Sequence, residues 1–142
     1  MRRLLPLGLA AALAACASAE PSPQYDWDAI GRDFCRAAVS RDLDALAPVV
    51  TPELGWLLGQ AEGRVPPQYL FQGYDVEGAS CTPRTRNAAL IDIRRDVEGG
   101  TGWVDTLVVV PEADGSTRID DILFGTRRSD TLRARLGALL GR

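Results

Sequence analysis

The 142-residue chain contains no histidine, and that absence removes more chemistry than any motif adds. Ser-His-Asp and Cys-His nucleophile systems, imidazole acid–base work and His-ligated metals are all excluded. Cys35 and Cys81 do not have metal-ligand spacing, and the Asp and Glu residues do not follow a calcium-loop pattern. Gly99-Gly100-Thr101-Gly102 is a turn, because neither a lysine nor a following helix makes it a phosphate loop. No cofactor and no metal are therefore expected. What remains is a carboxylate. Asp121, with Tyr74 or Tyr69 as hydrogen-bond donor, is the combination able to do general acid–base work.

Those residues must be positioned by helices and strands whose signals differ in clarity. Trp27, Ile30, Phe34 and Ala38 recur at helical spacing, so an amphipathic helix is expected over Asp26–Arg41. Asp42–Leu46 reads as a second short helix ended by Pro48. Thr51-Pro52-Glu53 is a helix start, with a capping Thr, a Pro in the first turn and an acid at the positive helix end. That helix carries Leu54, Trp56, Leu57, Leu58 and Ala61 and should stop at Gly63. From Pro66 to about Asn87 the pattern is irregular, with one short strand expected near Tyr74–Cys81. The length of this stretch suggests either a missed strand or a functional lid. Ala88–Glu98, Trp103–Pro111 and Arg118–Phe124 read as strands rich in Ile and Val, joined by the turns at 99–102 and 113–116. Ser129 is the expected cap of a final helix bearing Leu132, Leu136, Leu139 and Leu140.

Tight turns would pair Val97 with Val104, Ile93 with Val108, Val110 with Ile119 and Val108 with Asp121. One sheet face then collects Ile91, Ile93, Val97, Val104, Val108, Val110, Ile119 and Leu123, together with Arg95, Thr106 and Asp121. The other face holds Asp92, Arg94, Asp96, Trp103, Asp105, Leu107, Val109, Asp120, Ile122 and Phe124. The first face is the expected core, and a one-residue slip would reverse the assignment. An unpaired buried carboxylate is costly. Asp121 is therefore expected to pair with Arg95 as a buried polar pair, to bond a helix N-terminus, or to sit in a wet pocket as a ligand anchor. Asp96 opposite Asp105, with Arg94 diagonal, reads as a solvated charge cluster.

The N-terminus carries a different signal. Arg2 and Arg3 precede an apolar run from Leu4 to Ala15 that is too short for a spanning helix, which needs about 20 residues. This is the layout of a secretory signal peptide. It ends in Leu13-Ala14-Ala15-Cys16, which resembles the lipobox of bacterial lipoproteins. The resemblance implies removal of residues 1–15, lipidation of Cys16, a tether over 16–24 and one domain over 25–142. Ala17 after the cysteine implies the periplasmic face of the outer membrane. The alternative is cleavage after Ala17-Ser18-Ala19 and a soluble periplasmic or secreted protein. Either way Cys16 leaves the thiol pool, and an oxidising compartment favours a Cys35–Cys81 disulfide over two buried thiols. Loss of Arg2 and Arg3 lowers the net charge from −3 to −5. An acidic domain is a poor partner for nucleic acid; the membrane contact would come from lipid.

The helix with Phe34, the short helix, the capped helix, the loop and the strands through Trp103-Val104-Asp105 and Arg118-Ile119-Asp120-Asp121-Ile122 resemble the nuclear-transport-factor-2-like α+β cone. Small lipoproteins of that fold are closer still. The resemblance spans Tyr25–Arg142. It implies an α+β fold of N-terminal helices on a curved antiparallel meander, with a C-terminal helix. The fold hosts enzymes, binding modules and immunity-type proteins, so it does not decide function. The leading expectation is a non-enzymatic envelope lipoprotein that binds a small apolar ligand or a periplasmic protein. The alternatives are a small lyase- or isomerase-like enzyme with Asp121 as general base and Tyr74 as donor, and an inhibitor or immunity-type binder using Asp92, Asp96, Asp105 and Asp120.

Overall fold

A computed structural model of the chain describes residues 27–142. The proposed signal peptide, Cys16 and the tether lie outside the described residues. The fold is α+β, with three α-helices on a curved, open four-stranded antiparallel sheet whose strands lie side by side in chain order. Helix α1 (Trp27–Ser40) buries Ile30, Gly31, Phe34, Cys35 and Ala37, the stripe expected of a surface helix. It lies against β1 (Thr82–Asn87) and β2 (Leu90–Arg95). The approach is close at Gly31, where a Cβ would stand 2.5 Å from the Pro83 Cβ. A 3-10 turn over Asp44–Leu46 follows α1.

Helix α2 (Pro52–Ala61) begins as its sequence predicts, with the Thr51 side chain accepting from the Leu54 N–H. The same hydroxyl donates to Asp120 Oδ1 at 3.1 Å, which ties the helix start to β4 (Thr117–Leu123). Residues 49–51 run beside β4: Ile119 N–H donates to Val49 O and Thr51 N–H to Ile119 O, both at 2.8 Å. The β4 edge is thereby covered over this stretch. Helix α3 (Leu132–Leu140) packs on α2 and β4 and buries Leu132 and Leu136. Its cap is Thr131, not Ser129, with the Thr131 hydroxyl accepting from Ala134 N–H.

The long segment before the sheet contains a second 3-10 turn, Pro67–Tyr69, and then turns. Its strand lies at 82–87, not near Tyr74–Cys81, so the meander gains a first strand. The Cys35–Cys81 disulfide joins α1 to the residue before β1, with a Cα–Cα distance of 5.5 Å. Closing a loop with a sequence separation of 46 is worth about 4 kcal/mol in the chain-entropy model.

The β2–β3 register corrects the face assignment. Ile91 opposes Leu107, Ile93 opposes Asp105 and Arg95 opposes Trp103, where β3 is Trp103–Pro111. Residues 96–102 form a wider connection than a tight hairpin turn, and the pairing differs from the expected one by an odd number of residues. Every β3 side chain therefore changes face. Leu107 and Val109 enter the core with Ile91, Ile93, Ile119 and Ile122, while Val104 is exposed. Thr106 with Leu123 and Val108 with Asp121 pair as expected, but a bulge at Val108/Val109 shifts Val110 onto Arg118. With the bulge, β4 turns both Ile119 and Ile122 inward and leaves Asp120 and Asp121 half-buried off the core.

Candidate functional site: a buried polar cluster beside an apolar groove

The reversal of β3 puts Asp105, not Asp121, on the core face. Asp105 is 6% exposed and Arg95, on the adjacent strand, 5%. Both line an internal cavity of about 30 Å³ with Phe34, Phe71, Gln72, Tyr74 and Phe124. That is room for water and no more. Arg95 Nε donates to Ser80 O at 2.7 Å. Asp105 Oδ1 accepts from Gly125 N–H at 3.0 Å. The two charged groups do not close to an ion pair. Burial pushes the Asp105 carboxyl up to about 6, against the opposing pull of the Gly125 N–H, Arg135, the Trp103 indole and Arg95. Burial also lowers Arg95, with Asp105 acting in the other direction. Gln72 Oε1 and Trp103 Nε1 are buried and make no hydrogen bond of normal geometry. The indole N–H is nonetheless near enough to Asp105 to favour its charge. A carboxyl raised to about 6 can exchange a proton at mildly acidic pH, and the space beside it has the size of a water site.

The sequence-predicted site residues are dispersed. Asp121 does not meet Arg95: its Oδ1 accepts from Arg133 N–H at 2.9 Å and from Ile122 N–H at 2.8 Å. It therefore serves the N-terminus of α3, one of the roles expected for it, and the Arg95–Asp121 pair does not form. Asp121 also faces with Val108, away from Leu107 and Ile122, so it is not a pocket acid. Tyr74 lines the cavity, but its hydroxyl donates to Arg41 O at 2.9 Å and has no contact with Asp121. Tyr69 is exposed. Of the proposed acidic surface, Asp92 is bonded by Arg86 and Thr106, Asp96 by Arg94, and Asp120 by Thr51 and Arg133. Asp105 is interior.

Sequence reasoning missed Arg135. Its guanidinium makes two 2.7 Å bonds to Asp130, donates to Leu70 O at 3.2 Å and lies 3.8 Å from the Phe124 ring centroid. It ties α3 to the 3-10 segment that walls the cavity. Arg135, followed by Thr126, holds the Asp130 carboxyl down at about 2. The Asp130/Arg135 spacing was the available signal, an acid just ahead of a basic residue in the first turns of a helix.

Beyond the cavity wall lies a second opening of about 630 Å³ between the Asp44–Leu46 turn, α2 and the Pro67–Tyr69 turn. Leu46, Val50, Leu58, Val65, Leu70 and Phe71 give it an apolar lining, and Arg41, Asp42, Asp44 and Glu62 stand along it. Leu43, Leu46, Phe71 and Tyr74 line both spaces and form the partition between them. Among the described residues there is no cluster that could hold a metal ion and no helix long and apolar enough to cross a membrane. Compared with protein-family models, curated proteins and solved structures, the chain matches none.

Proposed function

We propose that this is a lipid-anchored envelope protein that works by binding, through the groove beside α2, and catalyses no reaction there. The observation that carries the binding reading is the contrast between the two spaces. The groove, at about 630 Å³, falls within the roughly 300–1,000 Å³ of ligand sites. The interior cavity that holds the titratable groups measures about 30 Å³. The anchor rests on Leu13-Ala14-Ala15-Cys16, whose cysteine after small residues suits lipidation. The resemblance to the nuclear-transport-factor-2-like cone agrees with helices on a curved meander and leaves function open.

The test uses the exported chain with Cys16→Ser, so that no lipid competes for an apolar probe. Phenylnaphthylamine fluorescence should rise on binding to this chain. It should stay near its buffer level when Gly59→Phe fills the groove, since nothing lies within 4 Å of a Cβ built at Gly59. A folded Gly59→Phe chain that binds the probe as well as its parent would reject the groove as the site.

A further inference from the structure

The groove has two features that its own fold does not require. The first is its wall. Gly55 and Gly59 lie one turn apart on α2 and both face the groove. Neither has a left-handed backbone. A Cβ at Gly59 would meet nothing within 4 Å, and one at Gly55 only Val50 Cγ2 at 3.6 Å, an ordinary contact. Each glycine makes α2 less stable than an Ala there would. What the pair gives is a strip of helix without side chains along an apolar trough, where another main chain can approach the helix closely. The second feature is the rim. Asp42 is occupied in accepting from Asp44 N–H and Ala45 N–H. The Asp44 and Glu62 carboxylates take part in no hydrogen bond or ion pair among the described residues. Among the described residues that line the groove, Arg41 is the one cation against three acids.

We propose that this groove takes a peptide segment of a partner protein, apolar along the face that meets Leu58 and Val65 and carrying two Lys or Arg residues that pair with Asp44 and Glu62. The inference rests on the groove being the binding site and adds the chemistry of its occupant. The acidic rim selects by charge. A basic residue is attracted, whereas the head of an anionic lipid or an acidic peptide meets like charge. A solvent-exposed pair changes affinity by about 1.4- to 5-fold. Two such attractions gained, against two repulsions avoided, separate a basic from an acidic peptide by about tenfold, since tenfold is 1.4 kcal/mol. Added salt should narrow that gap, because the rim is open to solvent.

The experiment uses the lipidated full chain in nanodiscs of phosphatidylcholine, with empty nanodiscs as the blank. Two fluorescein-labelled short peptides share one Leu and Ala pattern and differ only in carrying Lys or Glu. Anisotropy should show the Lys peptide binding about tenfold more tightly. The double variant Asp44→Asn/Glu62→Gln should reduce the preference to within about threefold, and Gly59→Phe should abolish binding of both peptides. Equal binding of the two peptides, binding of neither, an unchanged preference in the double variant, or binding that survives Gly59→Phe would each overturn the proposal. If phenylnaphthylamine still enters the groove while the peptides fail, the groove reading stands and the peptide reading falls. If neither enters, both fall.

Discussion

Asp105 shows how one side chain can oppose the stability of the fold that buries it. Its carboxyl is pushed up to about 6 by burial, while in the unfolded chain an Asp releases its proton near 4. Between those values the folded state holds the proton more firmly, so stability falls as pH rises from about 4 to about 6 and then levels off. The full shift is on the order of 3 kcal/mol. Asp105→Asn removes the charge, and its side-chain oxygen can still accept from Gly125 N–H. The variant should therefore unfold at higher temperature than the parent at pH 7, by the equivalent of at most about 3 kcal/mol, a shift that already includes the attraction of Arg95. At pH 4 the two should coincide. Thermal melts across this range decide it, and parallel curves for the two proteins would refute the buried, raised carboxyl. Asp121 behaves differently. It serves the N-terminus of α3 through Arg133 N–H, the position where a carboxylate is favourable.

At the scale of elements, identical substitutions on two helices should act in opposite directions. Gly31→Ala on α1 drives a Cβ to 2.5 Å from Pro83, and overpacking of this kind costs about 1–3 kcal/mol. Gly59→Ala on α2 meets open space and should stabilise by about 0.5–1 kcal/mol through helix propensity. Urea midpoints measure both: a Gly31→Ala chain at least as stable as its parent would contradict the packing of α1 on β1, and a less stable Gly59→Ala chain would contradict the open face of α2. Elements with strong local signals were legible. The Phe34 stripe marked α1, Thr51-Pro52-Glu53 marked the start of α2, and the Val-rich run marked β3 at its observed bounds. β1 was not legible, because Thr82-Pro83-Arg84-Thr85-Arg86-Asn87 lacks apolar alternation. It is an edge strand, where Pro and charged residues are tolerated. The candidate site was misplaced for a related reason. Local pattern identifies a strand but not its register, and the wide 96–102 connection moves Asp105 from the expected outer face of β3 to the core face. Asp121 left the core face at the same step, and the β4 bulge, which no residue pattern announced, determined which of its neighbours turned inward. The groove was unreadable in advance because its lining comes from three separate segments.

For the whole molecule, one covalent link sets how firmly the helical layer is held to the sheet. The Cys35–Cys81 bond closes nearly all of the chain between α1 and β1, including the turns that wall both the cavity and the groove. Within that loop, the hydrogen bonds that the 66–81 segment makes to elements outside it are few. They include Tyr74 to Arg41 O, Arg135 to Leu70 O, and the Ser80 bonds to Arg95 and Asp96. Reduction should therefore act on both global stability and the groove. In the chain-entropy model the loss is about 4 kcal/mol, a large share of the 5–15 kcal/mol typical of a domain. The double variant Cys35→Ser/Cys81→Ser should lower the denaturant midpoint by that order and weaken probe binding at temperatures where the chain is still folded. Cys16→Ser should leave the midpoint unchanged and move the protein from the membrane fraction to the soluble fraction, since Cys16 is proposed to act through lipid alone. Equal stability of the Cys35→Ser/Cys81→Ser chain and its parent would show that the cross-link does not hold the fold. A Cys16→Ser chain that still sediments with membranes would assign the membrane contact to the domain itself, and the acidic surface argues against that outcome.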